Sequence, residues 1–139
     1  MVKIELIRQK IEFIEEKISK LESLKALSPE QFGADYRNVE TSKHLLQVSI
    51  EAMTDMANHI VARNRWGIPA KSADSLRILR EFNYFTEHEE KLFATMVKFR
   101  NRVVHLYQNV DHDEVYMILQ ENLPDFRLFI RAVVKNNFS

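Results

Sequence analysis

The sequence predicts an all-α protein, an up-and-down helical bundle of about five helices, and three observations carry that prediction. Apolar residues recur at three- and four-residue steps through nearly every segment. Only two glycines and three prolines occur in 139 residues, which leaves few places for a sharp turn. The residues that do punctuate the chain, Ser28-Pro29 and Trp66-Gly67-Ile68-Pro69, stand where helices start and stop.

Taken in order, Ile4, Ile7, Ile11, Ile14, Ile18 and Leu21 form a stripe that predicts a helix from residue 2 to about 27. Ser28 as N-cap and Pro29 as first helical residue open a very long second helix to about residue 65, disturbed near Gly33. Its stripe is Leu46, Ile50, Met53, Ala57 and Ile60, and Gly67 suits a left-handed cap just beyond its end. A short helix follows Ser72, over 73–82. Thr86-Glu-His-Glu89 is a capping-box pattern that starts the next helix, and Asp111-His-Asp-Glu114 starts another, to about residue 121. Pro124 begins or kinks the last one, which ends near Lys135. The Thr86 helix carries two apolar stripes, Leu92-Met96-Phe99-Val103 and Phe93-Val97-Val104, so it belongs in the middle of a bundle or at a subunit interface.

Composition bounds the chemistry. Residues 1–139 read as one domain, with a hydrophobic fraction of 45% for its core and a charged fraction of 29%. No cysteine is present, which excludes disulfides, thiolate metal sites and a thiol nucleophile. No apolar run approaches the roughly 18 residues of a membrane span, and the N-terminus lacks a signal-peptide core, so no membrane association and a cytoplasmic location are expected. Glycine-rich phosphate loops are missing, which argues against autonomous ATP chemistry. Formal net charge is +0, so any contact with RNA has to come from a local basic patch or from a site shared between subunits.

Such a patch lies in Lys98-Phe-Arg-Asn-Arg-Val-Val-His-Leu-Tyr107, at the basic end of the Thr86 helix. Metal-free cleavage of an RNA phosphodiester uses the ribose 2′-hydroxyl as nucleophile. It needs a base for that proton, which histidine suits with its ordinary pKa of about 6.5. It also needs a permanent cation for the charge on pentacoordinate phosphorus, which arginine's forked donors supply. Arg100 and His105 are those two residue types. Five residues apart, they are separated by about 140° and about 7.5 Å of rise on a straight helix. They converge only if the helix frays before His105, if Arg100 curls toward the C-terminus, or if a second subunit completes the site. The plainer account is that arginine and histidine in a last turn complement the helix dipole, with Tyr107 as an amphipathic aromatic closing the bundle.

The segment resembles a known family. Arg100-Asn-Arg-Val-Val-His105 fits the Arg-x4–6-His motif of HEPN domains, and its continuation to Tyr107 fits the narrower Arg-x4-His-x-Tyr form of the HepT-like toxins. Tyr36-Arg-Asn-Val-Glu-Thr-Ser and Ile50-Glu-Ala-Met-Thr-Asp-Met-Ala-Asn-His-Ile60 are also similar to that family, over roughly residues 2–134. The resemblance implies a homodimeric HEPN-like bundle acting as a metal-independent endoribonuclease without a cofactor. It implies the toxin of a type VII-like toxin–antitoxin system, whose minimal nucleotidyltransferase antitoxin moves AMP from ATP to the motif tyrosine. On that basis Arg100 and His105 carry cleavage, Asn101 supports them, Tyr107 accepts AMP, and Lys98 and Arg102 are candidates for binding RNA. The alternative is a non-catalytic HEPN adaptor that binds a nucleotidyltransferase or a nucleotide.

Other candidates are weaker. Asp55 and His59 have the i, i+4 spacing of a metal chelate, but a surface or bundle pair explains them better, with groups lining the cleft as a further alternative. Glu87, Glu89 and Glu90, like Asp111, Asp113 and Glu114, favour the positive end of a helix dipole. Arg80 and Glu81 read as surface charges, and Met53, Met56 and Met96 as packing.

Overall fold

A computed structural model describes residues 2–138, and all of its regular structure is helical. The α-helices are α1 (Ile4–Lys25), α2 (Pro29–Ala34), α3 (Tyr36–Arg63), α4 (Ser72–Glu81), α5 (Glu87–His105), α6 (His112–Glu121) and α7 (Leu123–Asn137). One turn of 3₁₀ helix, Tyr107–Asn109, follows α5. Side-chain pairs fix the directions. Lys10 meets Asp55, Glu51 meets Arg100, and Glu22 meets Arg127, so α3 runs antiparallel to both α1 and α5, and α7 antiparallel to α1. This is the up-and-down arrangement that the stripes predict.

The core lies where α1, α3, α5 and α7 turn their apolar faces together. Ile7, Ile14, Ile18 and Leu21 of α1 are buried, as are Met53, Met56 and Ile60 of α3. Phe93 and Phe129 meet edge to face at 5.2 Å, and Phe85 packs its edge against Phe93 at 4.9 Å. All three methionines assigned to packing are buried. Among the described residues, no helix is long and apolar enough to cross a membrane.

Four local expectations need correction. The long second helix is two helices, and the break falls at Asp35, in extended backbone at φ −121°. The Asp35 side chain accepts a hydrogen bond from the Arg37 N–H and so caps α3. Gly33 matters for another reason: a Cβ there would meet His112 Cδ2 at 2.9 Å, so it lets α2 approach the start of α6. The left-handed residue after α3 is Arg65, at φ 57°, and Gly67 sits at φ 158°. Arg65 N–H donates to Ala62 O and Trp66 N–H to Val61 O, a Schellman closure that returns Trp66 to the bundle. Helix α4 starts at Ser72 itself and ends at Glu81, one residue earlier at each end than expected, and Asp74 Oδ2 accepts from the Ala70 and Lys71 N–H groups at its start. Finally, Arg80 is more than a surface charge. Its Nε donates to Glu90 Oε1 at 2.7 Å and ties α4 to α5, while Glu81 pairs with Arg77 within α4.

Candidate active site at the end of the fifth helix

Helix α5 delivers the motif. Its N-terminus is closed by the reciprocal Thr86–Glu89 capping box, and its buried side is Phe93, Met96, Phe99 and Val103. That register turns Arg100 toward α3. There Arg100 Nε and Nη2 donate to the same oxygen, Glu51 Oε2, at 2.9 and 2.7 Å. Gln47 Nε2 also donates to that oxygen, at 3.1 Å, and Arg100 Nη1 donates to Asn101 Oδ1 at 3.1 Å. A guanidinium has five N–H donors, and these three bonds leave two for a ligand.

His105 is the last residue of α5, exposed, and without a side-chain hydrogen bond among the described residues. The helix runs unbroken to it, and Arg100 is drawn sideways to Glu51. Two of the three routes by which these side chains converge are therefore not taken within this protomer. Around His105 the surface is apolar: Val104, Leu106 and Tyr107 are 40, 54 and 40% exposed.

Lys98 stands exposed on the flank of α5. Arg102 is already engaged. Its fork grips both oxygens of Glu114 at 2.6 and 2.9 Å and reaches the Asn109 carbonyl, so it staples the 3₁₀ turn and α6 to α5. The Glu114 carboxylate holds the Arg102 guanidinium above its ordinary pKa. Asp55 and His59 face α1, away from this end. Asp55 pairs with Lys10, and His59 Nε2 accepts the Lys3 N–H at 3.0 Å.

Past α5, Leu106 turns the chain out of helix and Tyr107 begins the 3₁₀ turn. Tyr107 lies against Lys43 of α3, whose Nζ is 4.0 Å from the ring centroid and 3.5 Å from the Tyr107 carbonyl oxygen. The phenol oxygen makes no hydrogen bond among the described residues. Of the four tyrosines, Tyr84 and Tyr116 have engaged hydroxyls, leaving Tyr107 and the exposed Tyr36 open.

Glu51 and Lys43 are the site residues that sequence reasoning missed. A signal for Lys43 was present: continuing the stripe Met53, Ile50, Leu46 one step toward the N-terminus lands on a lysine, inside an apolar face. Glu51 sits one residue off that stripe, and nothing local marks it.

Over residues 14–133 the chain matches the family model described as ribonuclease HepT-like. The chain belongs to that family. Among HepT-like relatives, the mRNA nuclease HepT of Shewanella oneidensis is 36% identical over 103 residues, covering 74% of this chain and 77% of the relative. The tRNA nuclease HepT of Aphanizomenon flos-aquae is 24% identical over 128 residues, covering 92% of this chain and 87% of the relative. A solved structure of the tri-AMPylated Shewanella oneidensis HEPN toxin in complex with MNT antitoxin superposes with a TM-score of 0.86 at 32% identity, covering 94% of this chain and 97% of that one. The HepT-like motif residues of this chain are thus seated on a matching fold.

Proposed function

We propose that this HepT-like protein is the toxin of a toxin–antitoxin pair, a cytoplasmic, metal-independent endoribonuclease that works as a homodimer and is silenced by AMP transfer to Tyr107. Its antitoxin is a minimal nucleotidyltransferase. One observation carries the reading: α5 presents a guanidinium held in place by Glu51 and Asn101, together with an unengaged imidazole five residues on.

In the reaction, His105 takes the 2′-hydroxyl proton of a bound RNA. The 2′-oxygen attacks the adjacent phosphorus, the bond from phosphorus to the 5′-oxygen breaks, and that oxygen leaves with a proton from water or from protonated His105. The two spare N–H donors of Arg100 meet the non-bridging oxygens as their charge grows. Products carry a 2′,3′-cyclic phosphate and a 5′-hydroxyl. Since one protomer keeps Arg100 and His105 on different sides of α5, the site is composite: the guanidinium of one chain and the imidazole of its twofold mate serve one phosphate. The apolar surface of Val104 and Leu106 beside His105 supports such an interface, which also gathers two copies of Lys98 in an otherwise neutral protein.

AMP on Tyr107 adds a bulky phosphodiester with a negative charge beside this cleft, repelling RNA phosphate and competing for Arg100.

RNA incubated with the protein in EDTA tests the reading. Cleavage is expected to survive chelation and to fall at least about a hundredfold in Arg100→Ala and in His105→Ala, the scale of a lost acid–base or oxyanion group. Parental rates in both variants would remove the assignment. The adaptor reading is favoured by the Arg100–Glu51 ion pair, which already occupies the guanidinium in the free protomer. It predicts nucleotidyltransferase binding with no cleavage in any of the three proteins.

A further inference from the structure

Lys43 is 5% exposed, and no other charged side chain is buried so deeply among the described residues. An ammonium removed from water needs compensation, normally a carboxylate. Lys43 forms no ion pair among the described residues. What it holds instead belongs to one residue: the face of the Tyr107 ring at 4.0 Å and the Tyr107 carbonyl oxygen at 3.5 Å. A cation over the face of an aromatic ring fixes the plane of that ring, and a second contact to the same residue's main chain fixes its backbone. Tyr107 is in this way clamped at two points while its hydroxyl side stays open and 40% of the residue is exposed. Tyr36, the other open tyrosine, is 75% exposed and has no such clamp.

We infer that Lys43 is the positioning residue for AMP transfer to Tyr107, and that its ammonium becomes the counter-charge of the phosphodiester that forms. The inference rests on Tyr107 being the acceptor. In the transfer, the Tyr107 oxygen attacks the α-phosphorus of ATP. The bond from that phosphorus to the oxygen bridging to the β-phosphate breaks, pyrophosphate leaves with the electron pair, and the phenol proton passes to solvent. A clamped ring presents its oxygen in one direction, so the ordering needed for in-line attack is already in place before the donor arrives. Negative charge builds on the phenol oxygen and on the phosphoryl group as the bond forms, next to a cation with no anion of its own. After transfer, the four-carbon stem of Lys43 lets the ammonium move from the ring face to the phosphodiester, a charge-assisted contact.

The test follows AMP incorporation by intact mass, using the full chain, its cognate nucleotidyltransferase and ATP with magnesium, over a range of toxin concentrations. Lys43→Met is expected to lower kcat for AMP transfer at least about tenfold with KM for the toxin within about twofold, and Lys43→Arg to recover most of the rate, as a lost orienting contact requires. Tyr36→Phe is expected to match the parent and Tyr107→Phe to take up no AMP. If the parent is modified, Tyr107→Phe is not, and Lys43→Met keeps the parental kcat, Lys43 plays no part in the transfer and the inference is overturned. A raised KM with unchanged kcat overturns it as well, because it marks a docking contact. If the parent takes no AMP, or Tyr107→Phe takes it equally fast, the acceptor assignment itself has failed, a distinct result. Should Lys43→Met lose its cooperative thermal transition, Lys43→Gln and Lys43→Arg decide: equal rates in those two sink the proposal.

Discussion

At the scale of single residues, one histidine outside the site has a measurable consequence. Burial, then the cations Arg63 and Lys3, hold the His59 imidazole below its ordinary pKa. The geometry agrees, since Nε2 accepts the Lys3 N–H and does so only unprotonated. As pH falls through about 6.5 the unfolded chain protonates His59 while the folded chain resists. The unfolded state then binds more protons, so folding stability declines as pH drops below that value and is fully present above it. Melting temperatures from pH 7.5 to 5.0 are expected to decline more steeply for the parent than for His59→Gln. Superimposable curves would show that the Lys3–His59 contact is not a source of the acid sensitivity. The same contact explains why the i, i+4 pair Asp55–His59 misleads as a chelate: both residues tie α1 to α3.

At the scale of elements, helix existence was legible from periodicity and helix ends were only partly so. The capping box at Thr86 forms as the sequence implies, because both partners lie within four residues of each other, and the expected Ser28 cap closes into a second box through Gln31. The end of α3 was misjudged because tertiary packing overrode residue preference. Stacking of Trp66 on Phe82 at 3.9 Å draws the chain back early, which forces Arg65 into the left-handed region two residues before the available glycine. The end of α4 repeats the device with Asn83 at φ 66° and Tyr84 N–H donating to Leu79 O, and asparagine tolerates that conformation better. Arg65→Gly is therefore expected to stabilise the fold by about 1 kcal/mol, the cost of a left-handed side-chain-bearing residue less the added freedom of the unfolded chain. Urea unfolding checks this, and a decrease in stability would show that the Arg65 side chain contributes more than its backbone costs. The site was legible on α5, where its residues are contiguous, and hidden on α3, where Glu51 and Lys43 become neighbours of the motif only through folding.

At the scale of the whole molecule, the proposed cleavage needs two copies of the chain. Arg100 is pinned to Glu51 and α5 continues as helix to His105, which sets the two groups proposed to cleave about 140° apart around the helix in each chain. Mixed dimers of Arg100→Ala and His105→Ala chains should hence regain one intact composite site. After subunit exchange of an equimolar mixture, half of the dimers are mixed, so cleavage should recover to roughly a quarter of the parental rate, given a twofold-symmetric assembly. No recovery despite demonstrated exchange would place both groups of each site in one chain, against the geometry of α5.

Glu51 and Lys43 stand on one rigid helix, about 12 Å apart along its axis. In the roles proposed above, one grips the scissor and the other the safety catch. On the proposed reading, a shift of α3 that frees Tyr107 from Lys43 also moves Glu51 from Arg100, so loss of silencing with cleavage intact is expected only from changes at Tyr107 or its immediate contacts.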